Sequence, residues 1–277
     1  RHYIWEMDVY PDVAVALGVL KPQSLLTRAL GALADYARRH ADGLVVLGPC
    51  MRERLAARGI PFKRIHVAEN WADAGLIQPR PWPADCPLTV LYSGHFGLAH
   101  EFDTICAVMG RLRIDPKFEF VFAGDGPRRP MIEGFCRAEG IENARFLPYQ
   151  ETSRLSEHFG ACHVGLVTQE RATLGTVVPS KIYGLMAAGR PVIFLGPRQA
   201  TPARTLERFR CGWQVDPGDS GGLGSLLEVL AADLALVREA GARGRQAFLQ
   251  HYDLPAGVNR IVEILGLSTP VAASAKA

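Results

Sequence analysis

The sequence lacks the spacings that ordinarily hold a metal or a disulfide. Its six cysteines, Cys50, Cys86, Cys106, Cys136, Cys162 and Cys211, stand singly, with no C-x-x-C among them. Such scatter reads as buried thiols of a reducing compartment, not as a stapled framework. None of the eight histidines falls in an H-x-x-H or H-E-x-x-H pattern, so no zinc site is expected. There is no Lys/Arg block, and a formal net charge of +3 is too small to argue for nucleic acid. No apolar run approaches the ~18 residues of a membrane span, and no signal peptide is visible. An initiator Met is also missing. The chain opens at Arg1, and Tyr3-Ile4-Trp5 already reads as a strand inside a domain, so a fragment lacking its beginning is expected.

What is present is 277 residues, 48% of them hydrophobic, which is ample chain for two cores. Up to about Asn70 the pattern alternates: strand Tyr3 to Met7, helix Ser24 to His40, strand Gly43 to Leu47, helix Cys50 to Arg58, strand Ile65 to Ala68. Alternation of this kind predicts parallel α/β units whose short apolar strands are covered on both faces. Asp8 lies just past the first strand, where α/β folds place functional groups. A loop carboxylate that caps backbone N–H groups fits the same position.

Residues 72–87 are proline-rich without apolar periodicity and read as a semi-rigid linker between two lobes. A second α/β domain follows over residues 88–250, with strands at Leu88 to Tyr92, Phe118 to Ala123, Ala144 to Leu147, His163 to Thr168, Pro191 to Leu195 and Gly212 to Val215. The first strand runs into a loop with Gly94, His95, Gly97 and His100, and the second into Gly124-Asp125-Gly126-Pro127. Glycines there let backbone approach a ligand, and they equally serve tight turns. Arg128 and Arg129 then open a helix, a poor place for cations unless they are solvated or paired.

The stretch from Thr176 to Leu195, TVVPSKIYGLMAAGRPVIFL, carries the most chemistry. A proline-broken loop delivers Pro179, Ser180 and Lys181 to a short helix that Gly189 ends. Ser180 suits the N-cap and Gly189 the C′ position. The free N–H groups of the first turn favour an anion, and Lys181 placed there works against the helix dipole unless a negative ligand sits nearby. A phosphate site fits that combination; a plain loop–helix–strand unit with a surface lysine is the alternative.

PSKIYGLMAAGRPVIF resembles the donor-site segment of GT-B glycosyltransferases of family 4, in the bacterial branch that assembles surface polysaccharides. MDVYPDVAVALGVL, the Gly-Asp-Gly-Pro turn, Pro148-Tyr149 and the run ending Asp216-Pro217-Gly218-Asp219 are similar to other segments of that family, so the resemblance covers most of the chain. It implies two Rossmann-like, doubly wound parallel-sheet domains, the first incomplete. Residues 1–71 are then the second half of the acceptor domain, and 88–250 the donor domain. A helix at 251–267 crosses back to the first domain, and 268–277 form a tail.

The resemblance further implies a retaining, metal-independent transfer of sugar from a nucleotide-sugar, expected to be a UDP-sugar, to a lipid-linked or saccharide acceptor. No metal or cofactor is expected, and no D-x-D triplet occurs. Donor contacts are implied at Gly94, His95, Gly97, Gly124, Asp125, Gly126, Pro148, Tyr149, Pro179, Ser180 and Lys181. Lys181 and, more weakly, Asp8 are the catalytic candidates. The two glutamates that many family members carry fall here at Thr176 and Gly184, so no carboxylate is carried over. A cytoplasmic enzyme in peripheral contact with the inner membrane is implied. Two alternatives remain: a nucleotide-sugar epimerase on the same fold, and a non-catalytic nucleotide-sugar-binding module.

Overall fold

A computed structural model describes residues 1–85 and 87–267; Cys86 and the expected tail at 268–277 lie outside the described residues. The first domain holds a parallel sheet of β1 (Tyr3–Glu6), β2 (Gly43–Val46) and β3 (Ile65–Val67), ordered β1-β2-β3. Around it lie α1 (Asp12–Ala16), α2 (Leu25–His40) and α3 (Pro49–Ala57). The five-residue α1 was not legible as a helix, being little more than one turn.

The second domain is a six-stranded parallel sheet. Its strands are β4 (Leu88–Ser93), β5 (Phe118–Ala123), β6 (Ala144–Leu147), β7 (Val164–Thr168), β8 (Val192–Leu195) and β9 (Gly212–Val215). Helices α4 (Asp103–Arg111), α5 (Arg129–Ala138), α6 (Leu155–Gly160), α7 (Lys181–Ala187), α8 (Thr201–Phe209), α9 (Ser220–Ala232) and α10 (Leu234–His251) alternate with them, and α11 (Leu254–Leu265) follows. The order β6-β5-β4-β7-β8-β9 reverses between β4 and β7, which makes the sheet doubly wound. Alternate residues of β4 enter separate cores: Val90 and Tyr92 join one apolar cluster and Leu91 the other. Both faces are therefore covered, as continuous apolar strands require.

At Gly165 on β7 an added Cβ would lie 2.2 Å from the Leu185 side chain, so α7 packs directly on the strand beside the reversal. Gly189 takes φ +68 after the C-cap Ala188, as its C′ position predicts. Ser180 departs from expectation. It precedes the helix but has αR backbone angles, and its hydroxyl makes no cap bond. A cap side chain reaches the N2 or N3 amide from a β-region backbone, and the proline-led loop does not present Ser180 that way.

The linker is not free. Arg190, 1% exposed, donates to the carbonyls of Phe159 (3.2 Å), Gly160 (2.9 Å), Arg80 (3.1 Å) and Pro81 (3.0 Å), and lies 4.0 Å over the Trp82 ring. Five planar donors suit an array of carbonyls, and they bind the linker to the second domain. The lobes also touch directly. Val9 N–H donates to Thr176 O (2.8 Å), Arg54 to Leu174 O (3.3 Å), and Arg204 forks onto Glu53 (2.6 and 2.8 Å). Helix α11 lies against the first domain, where Arg260 meets Glu69 at 2.8 Å and Trp71 packs on Gly257. All five described cysteines are free and buried.

Arg190→Leu removes the guanidinium donor from the Gly160, Arg80 and Pro81 carbonyls. The expected loss of stability is about 2–4 kcal/mol, read as a lower urea midpoint; an unchanged midpoint refutes the clamp.

Candidate functional site

The carboxyl ends of β4 and β7 part where the strand order reverses, and open α/β sheets bind ligands in that crevice. The loops leaving β4 and β5 are knitted together first. Gly94 N–H donates to Ala123 O (2.8 Å), Phe96 N–H to Asp125 O (2.9 Å), and Arg128 N–H to Phe96 O (3.1 Å). At Gly126 an added Cβ would fall 2.7 Å from the backbone of Phe96, and φ is +149, so only glycine fits. The Gly-Asp-Gly turn thus serves loop packing. The N-terminal arginines of α5 are paired, Arg128 with Glu170 (3.1 Å) and Arg129 with Glu133 (2.7 Å) and Leu147 O (2.9 Å).

Lys181, first residue of α7, turns its side chain toward the β4 loop. The ammonium donates to the Tyr92 hydroxyl, to His95 O (3.1 Å) and to His100 Nε2 (3.4 Å), and lies 4.0 Å from the Tyr92 ring centre. Gly94 makes room: with φ +128, its added Cβ would stand 2.7 Å from Lys181 Cε. Tyr92 is fixed by Phe96 and Phe102, at ring-centre distances of 4.7 and 4.9 Å, and its hydroxyl donates to His95 O (2.7 Å). His100 Nδ1 lies 2.9 Å from Thr168 O. A carbonyl only accepts, so Nδ1 carries the hydrogen and Nε2 offers its lone pair to Lys181.

No carboxylate compensates this cation. Burial lowers the Lys181 pKa to about 7, and burial, then the Lys181 charge, lowers that of His100 to about 3. Burial also raises the Tyr92 phenol.

Lys181 lines a cavity of about 370 Å³. Gly94, His95 and Ser180 line it too, with Tyr149, Gln150, Thr152, Phe159 and, from the first domain, Trp71. Of the expected donor contacts, Gly94, His95, Tyr149, Ser180 and Lys181 line it. Gly97, Gly124, Asp125, Gly126, Pro148 and Pro179 do not; Pro179 lines a smaller hollow of about 240 Å³ on the other side of Lys181. Gly184 also lines the cavity, and Thr176 is buried with its hydroxyl on Thr173 O (2.8 Å), so neither position supplies an acid. No Asp or Glu is in the lining. Asp8 stands one residue before the Val9–Thr176 contact, and partial desolvation raises its carboxyl above the usual range.

Sequence reasoning missed Tyr92, which reads as one more core aromatic, and Ser93, whose hydroxyl lies 3.0 Å from His158 Nε2 at the cavity wall. The available signal was position, since both end a strand beside a glycine loop. Among the described residues, no cluster of three or more His, Cys, Asp or Glu side chains could hold a metal ion.

A family model described as "Glycosyl transferases group 1" matches residues 87–233, just over half of the chain. The chain is 27% identical over 256 residues to WbjE of Pseudomonas aeruginosa, named a probable glycosyltransferase, covering 88% of this chain and 63% of that protein. It is 25% identical over 271 residues to the lipopolysaccharide core biosynthesis glycosyltransferase LpsE of Rhizobium meliloti, covering 92% and 76%. The chain therefore spans less than two thirds of the length of WbjE. Among solved structures, HepE of Anabaena in complex with UDP and glucose superposes with a TM-score of 0.77 at 14% identity, covering 95% of this chain and 71% of that one.

A partly buried lysine with a lowered pKa costs stability in full below pH 7, where folded and unfolded chains both carry its proton. The cost fades as pH rises toward 10.5, the value of a free lysine. Relative to Lys181→Met, the wild-type chain should therefore gain stability from pH 7 to pH 10. Parallel urea midpoints across that range check the sign.

Proposed function

Because the chain belongs to the group 1 glycosyl transferases and has their GT-B fold, we propose that it transfers a sugar from a UDP-sugar to a lipid-linked or saccharide acceptor in surface-polysaccharide assembly. The observation that carries this reading is the meeting of Lys181 with the β4 glycine loop on the wall of one cavity. The UDP in the HepE complex supports the donor class, and the printed role of LpsE supports a surface-polysaccharide acceptor.

In this reading the acceptor hydroxyl oxygen bonds to the anomeric carbon, and the bond from that carbon to the diphosphate breaks. The nucleoside diphosphate leaves with the electron pair. Lys181 is the positive charge nearest the departing oxygens, and a fixed donor aimed at developing charge lowers the barrier. A double displacement needs a carboxylate nucleophile, and the cavity lining offers none. Retention is implied by the family resemblance, and in this reading it proceeds by attack from the leaving-group side, the acceptor proton passing to the departing phosphate. Asp8 is kept as a weaker candidate on the acceptor side. The transfer is proposed to need no metal, a reading that rests on the family resemblance and the absence of D-x-D.

Peripheral membrane contact is part of the proposal. Helix α2 turns Leu25, Leu26, Leu30, Leu33 and Tyr36 outward, all exposed, with Lys21, Arg28, Arg39 and Lys63 exposed on the same domain. An apolar helix face amid basic residues suits an anionic bilayer surface. Among the described residues, no single helix is long and apolar enough to cross a membrane.

Radiolabelled UDP-sugars incubated with the protein and a lipid acceptor extract should move label into lipid. A changed free nucleotide-sugar would instead indicate epimerisation, and binding without turnover a non-catalytic module. Lys181→Ala should cut the transfer rate by about 10²-fold; near-normal turnover removes Lys181 from the site. Anionic phosphatidylglycerol vesicles should retain the protein. Leu26→Glu with Leu33→Glu should weaken retention by about tenfold or more, and wild-type protein that stays unbound refutes the membrane contact.

A further inference from the structure

Every hydrogen-bond partner of the Lys181 ammonium is neutral. Its three N–H groups meet the Tyr92 hydroxyl, the His95 carbonyl and His100 Nε2, and the face of the Tyr92 ring supplies a further electrostatic contact. An ammonium satisfied in number but not in charge is an unusual thing to place at the wall of a cavity. Buried cations ordinarily face a carboxylate.

The surroundings keep it so. From β4 comes the Tyr92 phenol, and from the following loop His95 and His100. Beyond His100 stand Arg128 and Glu170, which pair with each other at 3.1 Å. Glu101 directs one oxygen to Thr104 N–H and hydroxyl, both 2.8 Å away, and burial raises its pKa. From α6 comes His158, bonded to Ser93 and lowered by burial. None of these groups is an anion in contact with Lys181.

We propose that Tyr92 and His100 are positioning residues that hold Lys181 under the glycine loop as a cation whose counter-charge is supplied by the diphosphate of the incoming donor. The inference rests on the donor reading above and goes beyond it: donor binding is coupled to proton uptake at one amine. His100 is suited to the task because Thr168 O fixes its tautomer, leaving a lone pair and no second N–H toward Lys181. Tyr92 is suited because its hydroxyl can accept from the lysine while donating to His95 O.

The sign of the coupling follows from linkage. A dianion beside the amine raises its pKa above the free value of about 7, so protons are taken up on binding between the two values. Above pH 7 the affinity for UDP should then fall with rising pH, by up to tenfold per pH unit. Phosphate itself titrates near pH 6, well below that window.

The test is titration calorimetry of the full chain with UDP at pH 8, in two buffers of different ionisation enthalpy. The wild-type protein should take up close to one proton per UDP bound. His100→Ala opens the amine to water and restores its ordinary protonation, so uptake should fall below half and the decline of affinity from pH 7 to pH 9 should flatten. His100→Gln, whose amide can donate to Thr168 and accept from Lys181, should recover part of both. Tyr92→Phe should weaken UDP while keeping the ring. UDP binding to the wild-type chain without proton uptake overturns the cradle and leaves the donor reading standing, even if the variants fail to fold. Absence of any UDP binding overturns both.

Discussion

Lys181 brings a positive charge into a site that holds no negative one, and much of the second domain is arranged around that placement. The strand reversal between β4 and β7 opens the crevice, and Gly165 lets α7 press onto β7 so that its first residue emerges there. Gly94 removes the side chain that would otherwise occupy the path of the lysine. Phe96 and Phe102 pack against the Tyr92 ring that meets the lysine. A charge so placed is costly when the site is empty and favourable when an anion arrives. That asymmetry is the property the proposed donor site asks of a fixed positive charge.

The same economy of charge recurs at Arg190, buried against carbonyls without an acid partner. Here the compensation is geometric: a planar fork meets carbonyl oxygens from the linker and from α6, and the Trp82 ring covers it. Trp71, which borders the cavity, is held instead against Gly257 of α11 and beside the Trp5 ring. The direct lobe contacts at Thr176, Leu174 and Glu53 act on the other side of the crevice. A sugar donor seated in the cavity would therefore meet the first domain as a wall already in position.

Much of this was legible in the residues. The central strands, such as β2, β7 and β8, announced themselves as short apolar runs, because parallel strands covered on both faces need no alternation. Gly189 and the helix after Ser180 were legible because stop signals are local. The cap at Ser180 was not, since capping depends on the backbone angles that the proline-led loop imposes. Lys181 could be singled out by its conflict with the helix dipole, yet its partners could not, because Tyr92 lies 89 positions away in sequence. At the Gly-Asp-Gly turn the glycines signal close approach, and the backbone of Phe96 is one partner that approaches.

Helix α2 carries the same limit furthest. An amphipathic helix ordinarily turns its leucines inward. In the structure the inward side holds Gly31, Asp35 and Arg38. Arg38 bonds Glu6 at 2.6 and 3.1 Å, and Asp35 meets Arg58 at 2.8 Å, which in turn meets Asp12. An ion-paired chain running from β1 to α3 is rigid and directional, so it holds the helix in one rotation about its axis. Once the charged face is committed to that network, the leucine face has only the outside left. An apolar stripe on the outside is not a defect of packing but the consequence of where the acids and arginines pair.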